Sequence, residues 1–227
     1  WIVCHEDTMP LVRKVVGERY TDPLIPRYVI AHDQMRDIPI FYIPIHPKDR
    51  DRWDCLGMSV LHGAHCAYRM SLRLSKWTVP DKYFVSFPYG VFEQQVLRKE
   101  RRFISSVKPW SMRYDERSVH DGLFLPFTFN ADDYHNCIDH VKGESTLFTQ
   151  GNVTLPKSLR YSARYFSIEK VFKKAVLKGN NASIPWYHDI GSWDGYCSFL
   201  SSEERKTIVK SDNVCYKEWH GIGRDDD

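Results

Sequence analysis

Residues 57–90 read GMSVLHGAHCAYRMSLRLSKWTVPDKYFVSFPYG, and the hydrophobic period changes inside this stretch. From Gly57 to Lys76 apolar residues recur at helical spacing, with Leu61, Ala64, Tyr68 and Leu72 forming one stripe. His62, His65, Arg69, Arg73 and Lys76 form a basic stripe beside it. A helix with one apolar stripe is built to lie against another element. Pro80-Asp81 marks a turn, and Tyr83-Phe84-Val85-Ser86-Phe87 reads as a strand closed by Pro88.

The residues upstream repeat the alternation. Ile2-Val3-Cys4 is a short apolar run ending in His5-Glu6-Asp7-Thr8. Pro10 opens a helical pattern with Leu11, Val15 and Val16 on one side and Arg13, Lys14 and Glu18 on the other. Tyr28-Val29-Ile30-Ala31 reads as a second strand, ending at His32-Asp33. Ile38 to Ile45 is a third apolar run, and its Pro39 and Pro44 suit an edge strand or extended loop. This order predicts an α/β fold: a mostly parallel, Rossmann-like sheet with helices on both faces.

The C-terminal half is less regular and rich in loops. Arg98 to Tyr165 holds much aromatic and polar sequence with a few strands. Ser167 caps a helix whose apolar face is Ile168, Val171, Phe172, Ala175 and Val176, ended by Gly179. Trp186 to Tyr196 is turn-rich, and Ser201-Ser202-Glu203-Glu204 is a capping-box signature for a short helix to Val209.

A chain of 227 residues fits one domain, over 1–224, followed by a disordered acidic tail at 225–227. At 27% charged and 14% aromatic residues it is neither a disordered chain nor a coiled coil. No apolar run approaches the ~20 residues of a membrane span, and Trp1 to Asp7 turns acidic too early for a secretory signal. Six cysteines without CxxC spacing read as reduced thiols, which predicts a cytoplasmic protein. The net charge of +3 names no partner, although basic residues cluster at Arg98–Arg102 and Lys170–Lys178.

In parallel α/β sheets, ligands bind at the carboxyl ends of strands. That rule singles out His5-Glu6-Asp7, His32-Asp33-Gln34 and the Phe87-Pro88-Tyr89-Gly90 turn as a nucleotide site. P-loop, GxGxxG, GxSxG and HExxH motifs are missing from the sequence, which removes the usual support for kinases, dehydrogenases, α/β hydrolases and zincins.

In element order over about two thirds of the chain, the sequence resembles the GT-A fold of nucleotide-sugar glycosyltransferases. The residues are Ile2-Val3-Cys4 with its helix, Tyr28 to Asp33, the Gly57 helix and Tyr83 to Phe87. His188-Asp189-Ile190-Gly191-Ser192-Trp193-Asp194-Gly195-Tyr196 looks like the acidic acceptor segment of such enzymes. Tyr216-Lys217-Glu218-Trp219-His220 looks like the late segment that places a metal-binding His. The resemblance implies a nucleotide-sugar donor, with His5, Asp7 and Asp33 at the nucleotide. It also implies Asp194 as catalytic base, Asp189 as its nearest competitor, and Mn²⁺ or Mg²⁺. Where the family places Asp-x-Asp, this sequence has Phe87 to Glu93, so Glu93 is the nearest carboxylate. Arg69, Arg73 or Arg98 would then neutralise the leaving diphosphate.

His62-Gly63-Ala64-His65-Cys66 and His135-Asn136-Cys137-Ile138-Asp139-His140 hold zinc-type donors, but neither has a standard zinc spacing, so zinc is not expected. Trp110, Trp186, Tyr187, Trp193, Tyr196 and Trp219 fall mostly in turn-rich segments. Loop aromatics stack on sugars or nucleobases, and together with Arg98–Arg102 they give a second reading, a nucleic-acid-binding or nucleic-acid-modifying protein. The two readings overlap if the acceptor is itself nucleic acid.

Overall fold

The computed structural model describes residues 1–16, 41–45, 56–73, 79–139, 168, 171–172 and 178–206. The expected strand at Tyr28–Ala31, Asp33, residues 140–167 and residues 207–227, with Trp219, His220 and the acidic tail, lie outside the described residues.

Ile2–His5 forms β1, Met9–Val16 forms α1 and Tyr42–Ile45 forms β2. β1 and β2 pair in parallel, Ile2 opposite Tyr42 and His5 opposite Ile45. In its described part, Tyr42–Ile45, the third apolar run is therefore a strand, one of the two forms expected of it. The helix presents a different face from the expected one: Met9 is buried, whereas Leu11 and Val15 are exposed. Met9 Sδ accepts from Cys4 Sγ at 3.6 Å, which ties the first turn of α1 to β1. Residues 9, 12 and 13 share a helical face, so this anchor turns 11 and 15 to solvent.

Leu56–Arg73 forms α2, close to the expected span. Its buried positions are Gly57, Leu61, Gly63, Ala64, Ala67 and Ser71, while Leu72, expected in the apolar stripe, is exposed. A Cβ at Gly63 would lie 2.9 Å from Val3 Cγ2, so α2 crosses directly over β1. Ser71 is buried at no hydrogen-bonding loss, because its Oγ donates to the Ala67 carbonyl at 2.9 Å.

The strand after α2 does not extend the β1–β2 pair. Lys82–Val85 forms β3, Gly90–Phe92 forms β4, Gln95–Lys99 forms α3 and Arg101–Ile104 forms α4. Trp110–Arg113 forms β5, Phe127–Asn130 forms β6, residues 131–139 form a helix (α5), and Asn180–Ser183 forms β7. A four-stranded sheet has the order β3-β6-β5-β7, antiparallel at β3–β6 and β5–β6 and parallel at β5–β7. The fold is thus α/β with small mixed sheets. The strand at Tyr83 finds its partner in Phe127–Asn130, whose Phe-x-Phe alternation offers a complementary apolar face.

Both faces of this sheet are covered. On one, Phe127 and Phe129 pack with Leu61 and Ala64 of α2, Tyr134 and Cys137 of α5, and Ile168, Val171 and Phe172. The last three are the buried residues of the helix expected after Ser167. On the other face Trp110 and Met112 pack with Phe92, Val96, Leu125, Ala182 and Ile184. Each fully buried large side chain contributes about 1.5–3 kcal/mol. Much of the aromatic content therefore belongs to the core, with Phe129 and Phe172 ring centroids 4.9 Å apart. The four described cysteines, Cys4, Cys66, Cys137 and Cys197, are free thiols. No helix among the described residues is long and apolar enough to cross a membrane.

Candidate functional site

Tyr187–Asp189 forms β8 and pairs antiparallel with β4, Gly90 opposite Asp189 and Phe92 opposite Tyr187. At the end of β8 the Asp189 carboxylate accepts from the Gly191 N–H at 2.8 Å, closing a turn. Trp193–Ser201 then forms α6, capped by Ser192, whose Oγ accepts from the Gly195 N–H at 3.1 Å. A side chain on Gly195 would collide with the Asp189 carbonyl oxygen. Glycine there lets the first turn of α6 sit down on the end of β8, so Asp189 and Asp194 share one corner.

Asp189 closes the turn and Ser192 caps the helix, so neither task needs Asp194. Asp194 is exposed in the first turn of α6, where the helix dipole favours a carboxylate. Trp193 is 75% exposed and Tyr196 38% exposed, with ring centroids 5.8 Å apart. Tyr89 completes the corner: its carbonyl accepts from the Ile190 N–H at 2.8 Å, and its Cβ lies against Gly191. Beneath, the Phe124 N–H donates to the Tyr187 hydroxyl at 3.0 Å. Burial pushes the Tyr187 phenol up, the Phe124 N–H opposes this, and the charges of Asp189 and Arg117 act on it in opposite senses. His188 approaches Glu204 at 3.5 Å, tying β8 to residues 203–206, which are helical as the Ser201–Glu204 capping signature predicts.

The other expected residues divide between places. His5 and Asp7 lie at the carboxyl end of β1, beside an open groove of about 650 Å³ lined by Glu6, Met9, Pro10, Arg13, Lys14 and Pro44. Arg13 lies 5.0 Å over the Tyr42 ring. Arg69 and Arg73 are exposed on α2, past the Gly63 crossing. Arg69 adds to the burial that holds His65 below the ordinary imidazole range, so it stands near the His65–Tyr134 pair. Glu93 follows Phe92, which puts it at the opposite end of the β4–β8 pair from Asp189.

The potential metal ligands among the described residues do not assemble. His65 Nδ1 and the Tyr134 hydroxyl share a hydrogen bond of 2.8 Å, His62 Nε2 lies 4.0 Å from Cys66 Sγ, and Cys137 Sγ donates to the Val171 carbonyl at 3.0 Å. Among the described residues no group of three or more His, Cys, Asp or Glu side chains could hold a metal ion. The described residues thus bring no ligand set to Glu93, and His220 lies outside them.

Sequence reasoning found both carboxylates and both exposed aromatics of the corner and missed Tyr89 as their neighbour. It also missed the helix start at Ser192, although serine followed by Trp193-Asp194 is a capping signal that reading the segment as a turn concealed. The described residues make a mixed α/β protein with an exposed carboxylate–aromatic corner. Set against protein-family models, curated proteins and solved structures, it matches none of them.

Proposed function

We propose that this protein is a glycosyltransferase that moves a sugar from a nucleotide-sugar donor to a hydroxyl acceptor, with Asp194 as the general base. The observation that carries the reading is Asp194, an exposed carboxylate committed to neither cap nor turn, flanked by the exposed rings of Trp193 and Tyr196. Aromatic faces suit the apolar faces of sugars. A hydroxyl attacking an anomeric carbon must lose its proton, which a carboxylate within hydrogen-bond reach can accept. Asp189 already accepts from Gly191, which leaves Asp194 the better placed base.

The donor nucleotide belongs at the carboxyl end of β1. Parallel β1 and β2 would belong to the Rossmann-like sheet of a single domain. His5 and Asp7 flank Glu6, which lines the groove there, and Arg13 and Lys14 supply positive charge for a diphosphate, in addition to Arg69 and Arg73. Mn²⁺ or Mg²⁺ dependence is part of the same reading. Nothing in the corner selects the acceptor, and a nucleic-acid hydroxyl suits the chemistry as well as a glycan hydroxyl.

The test is release of nucleoside diphosphate from a panel of nucleotide sugars, with and without Mn²⁺ or Mg²⁺. For the donor that reacts, Asp194→Asn is expected to lower turnover by roughly 10²–10⁴-fold with the melting temperature unchanged. Near-normal turnover in Asp194→Asn would remove the assignment, and release from none of the donors would remove the transferase reading.

A further inference from the structure

Residues 95–108 form a surface dense in exposed cations. Arg98, Lys99, Arg101, Arg102 and Lys108 are all exposed, against a single carboxylate, Glu100, in the same segment. Glu100 is turned inward, where its carboxylate accepts from Trp110 Nε1 at 3.2 Å. The cations therefore face solvent unopposed within their own segment. Among them stand apolar side chains: Val107 is 87% exposed and Phe103 50% exposed.

The loop that carries Val107 has its carbonyls answered from within. Lys82 Nζ donates to the Ser106 carbonyl at 2.6 Å and to the Lys108 carbonyl at 2.8 Å. Asn130 Nδ2 donates to the Val107 carbonyl at 2.6 Å, and Ser106 Oγ to the Phe103 carbonyl at 2.7 Å. A loop that leaves water for a low-dielectric interface loses the water bound to its backbone groups, and here the carbonyls around the most apolar tip already have partners within the protein. Lys82 and Phe84 alternate onto one side of β3, so exposed Phe84 continues the same face.

We propose that this face docks on an anionic lipid surface, Phe103 and Val107 entering the interface while the five cations meet headgroup phosphates. Stable peripheral binding takes two signals, an apolar insertion and a polybasic patch, and both are here within fourteen residues. A single-stranded nucleic acid would use the cations but needs open ring faces. Here Phe103 offers one half-exposed ring; the most exposed apolar side chain, Val107, is aliphatic, and the Phe84 ring already stacks on Trp110 with centroids 6.5 Å apart.

The experiment is cosedimentation of the full chain with vesicles of phosphatidylcholine alone and of phosphatidylcholine with phosphatidylserine. Binding is expected only with phosphatidylserine and weakens as salt rises. Val107→Asp should lower partitioning at least about tenfold, and Arg101→Glu with Arg102→Glu should abolish it, both with unchanged melting temperature. Failure to sediment with phosphatidylserine vesicles would overturn the proposal, as would full partitioning of Val107→Asp. A single-stranded oligonucleotide bound in preference to the vesicles, with Val107→Asp unaffected, would overturn it in favour of nucleic acid.

Discussion

Asp115 and Glu116 both lie in the left-handed region, with φ of 49° and 59°. Tyr114 and Arg117 exchange backbone hydrogen bonds of 2.8 and 2.9 Å around them, which makes a two-residue hairpin turn with positive φ at both positions. Asparagine followed by glycine is the favoured pair for such a turn, and a glutamate in its second position is strained. Glu116→Gly is expected to stabilise the protein by about 0.5–1 kcal/mol, because relief of strain exceeds glycine's extra chain entropy. The Arg113–Glu116 approach of 3.9 Å that it removes is largely exposed and contributes little. A urea midpoint that falls instead would show that the turn gains more from the side chain than from the conformation. At this scale the sequence was readable where chemistry is local. Asp189, Asp194, Trp193 and Tyr196 stand close together in the chain, and the structure keeps them close. Tyr89 was unreadable as their neighbour because about a hundred residues separate it from them, a distance periodicity cannot cross.

Elements were readable in position and less so in facing. β1, α2 and the strand at Tyr83 stand where their periods put them: β1 ends at the polar run from Glu6, α2 opens beside Gly57, and the strand at Tyr83 lies between Pro80 and Pro88. The facing of α1 was misread because the sulfur contact between Cys4 and Met9 sets its rotation, and no helical period reports a contact with another strand. β6 was passed over for a different reason: Phe127-Thr128-Phe129-Asn130 alternates apolar with polar residues, but over only four positions, the shortest run from which a strand can be read. The seat of α6 on β8 depends on Gly195 and yields a prediction at this scale. Gly195→Ala is expected to cost about 1–3 kcal/mol, the usual range for forced overpacking, because the added carbon meets backbone that cannot rotate away. Chemical denaturation would measure it. An unchanged midpoint would mean that α6 can lift from the strand, and the shared corner of Asp189 and Asp194 would loosen with it.

For the whole molecule, the choice of partner strands was the part the sequence withheld. Strand, helix, strand order predicted one parallel sheet, yet β3 pairs antiparallel with β6, and only β1–β2 and β5–β7 among the described pairs are parallel. Such choices are made by long-range fit between faces, which local patterns do not encode. The packed core also sets how stability responds to alkali. Burial pushes the Cys137 thiol and the Tyr83 phenol each up to about 12, with the Asp133 charge adding to the first and the ionising Tyr134 and Tyr68 phenols to the second. The folded state thus holds protons that the unfolded chain releases above about pH 9 for Cys and 10 for Tyr. Their stabilisation is complete below those values and is lost as pH rises toward 12, with a limiting slope of about 1.4 kcal/mol per pH unit for each group. Denaturation midpoints between pH 8 and 11 should fall, and Cys137→Ala should flatten the decline; an identical slope in that variant would mean that the thiol ionises without unfolding. The register of β4 with β8 has a further consequence, for the order of events at the ribosome. Gly90–Phe92 is synthesised about a hundred residues before Tyr187–Asp189, and at roughly 5–20 residues per second it waits on the order of ten seconds for its partner. Throughout that interval the nascent chain carries an open strand edge, and its carboxylate corner is assembled only after almost every other described element has already emerged.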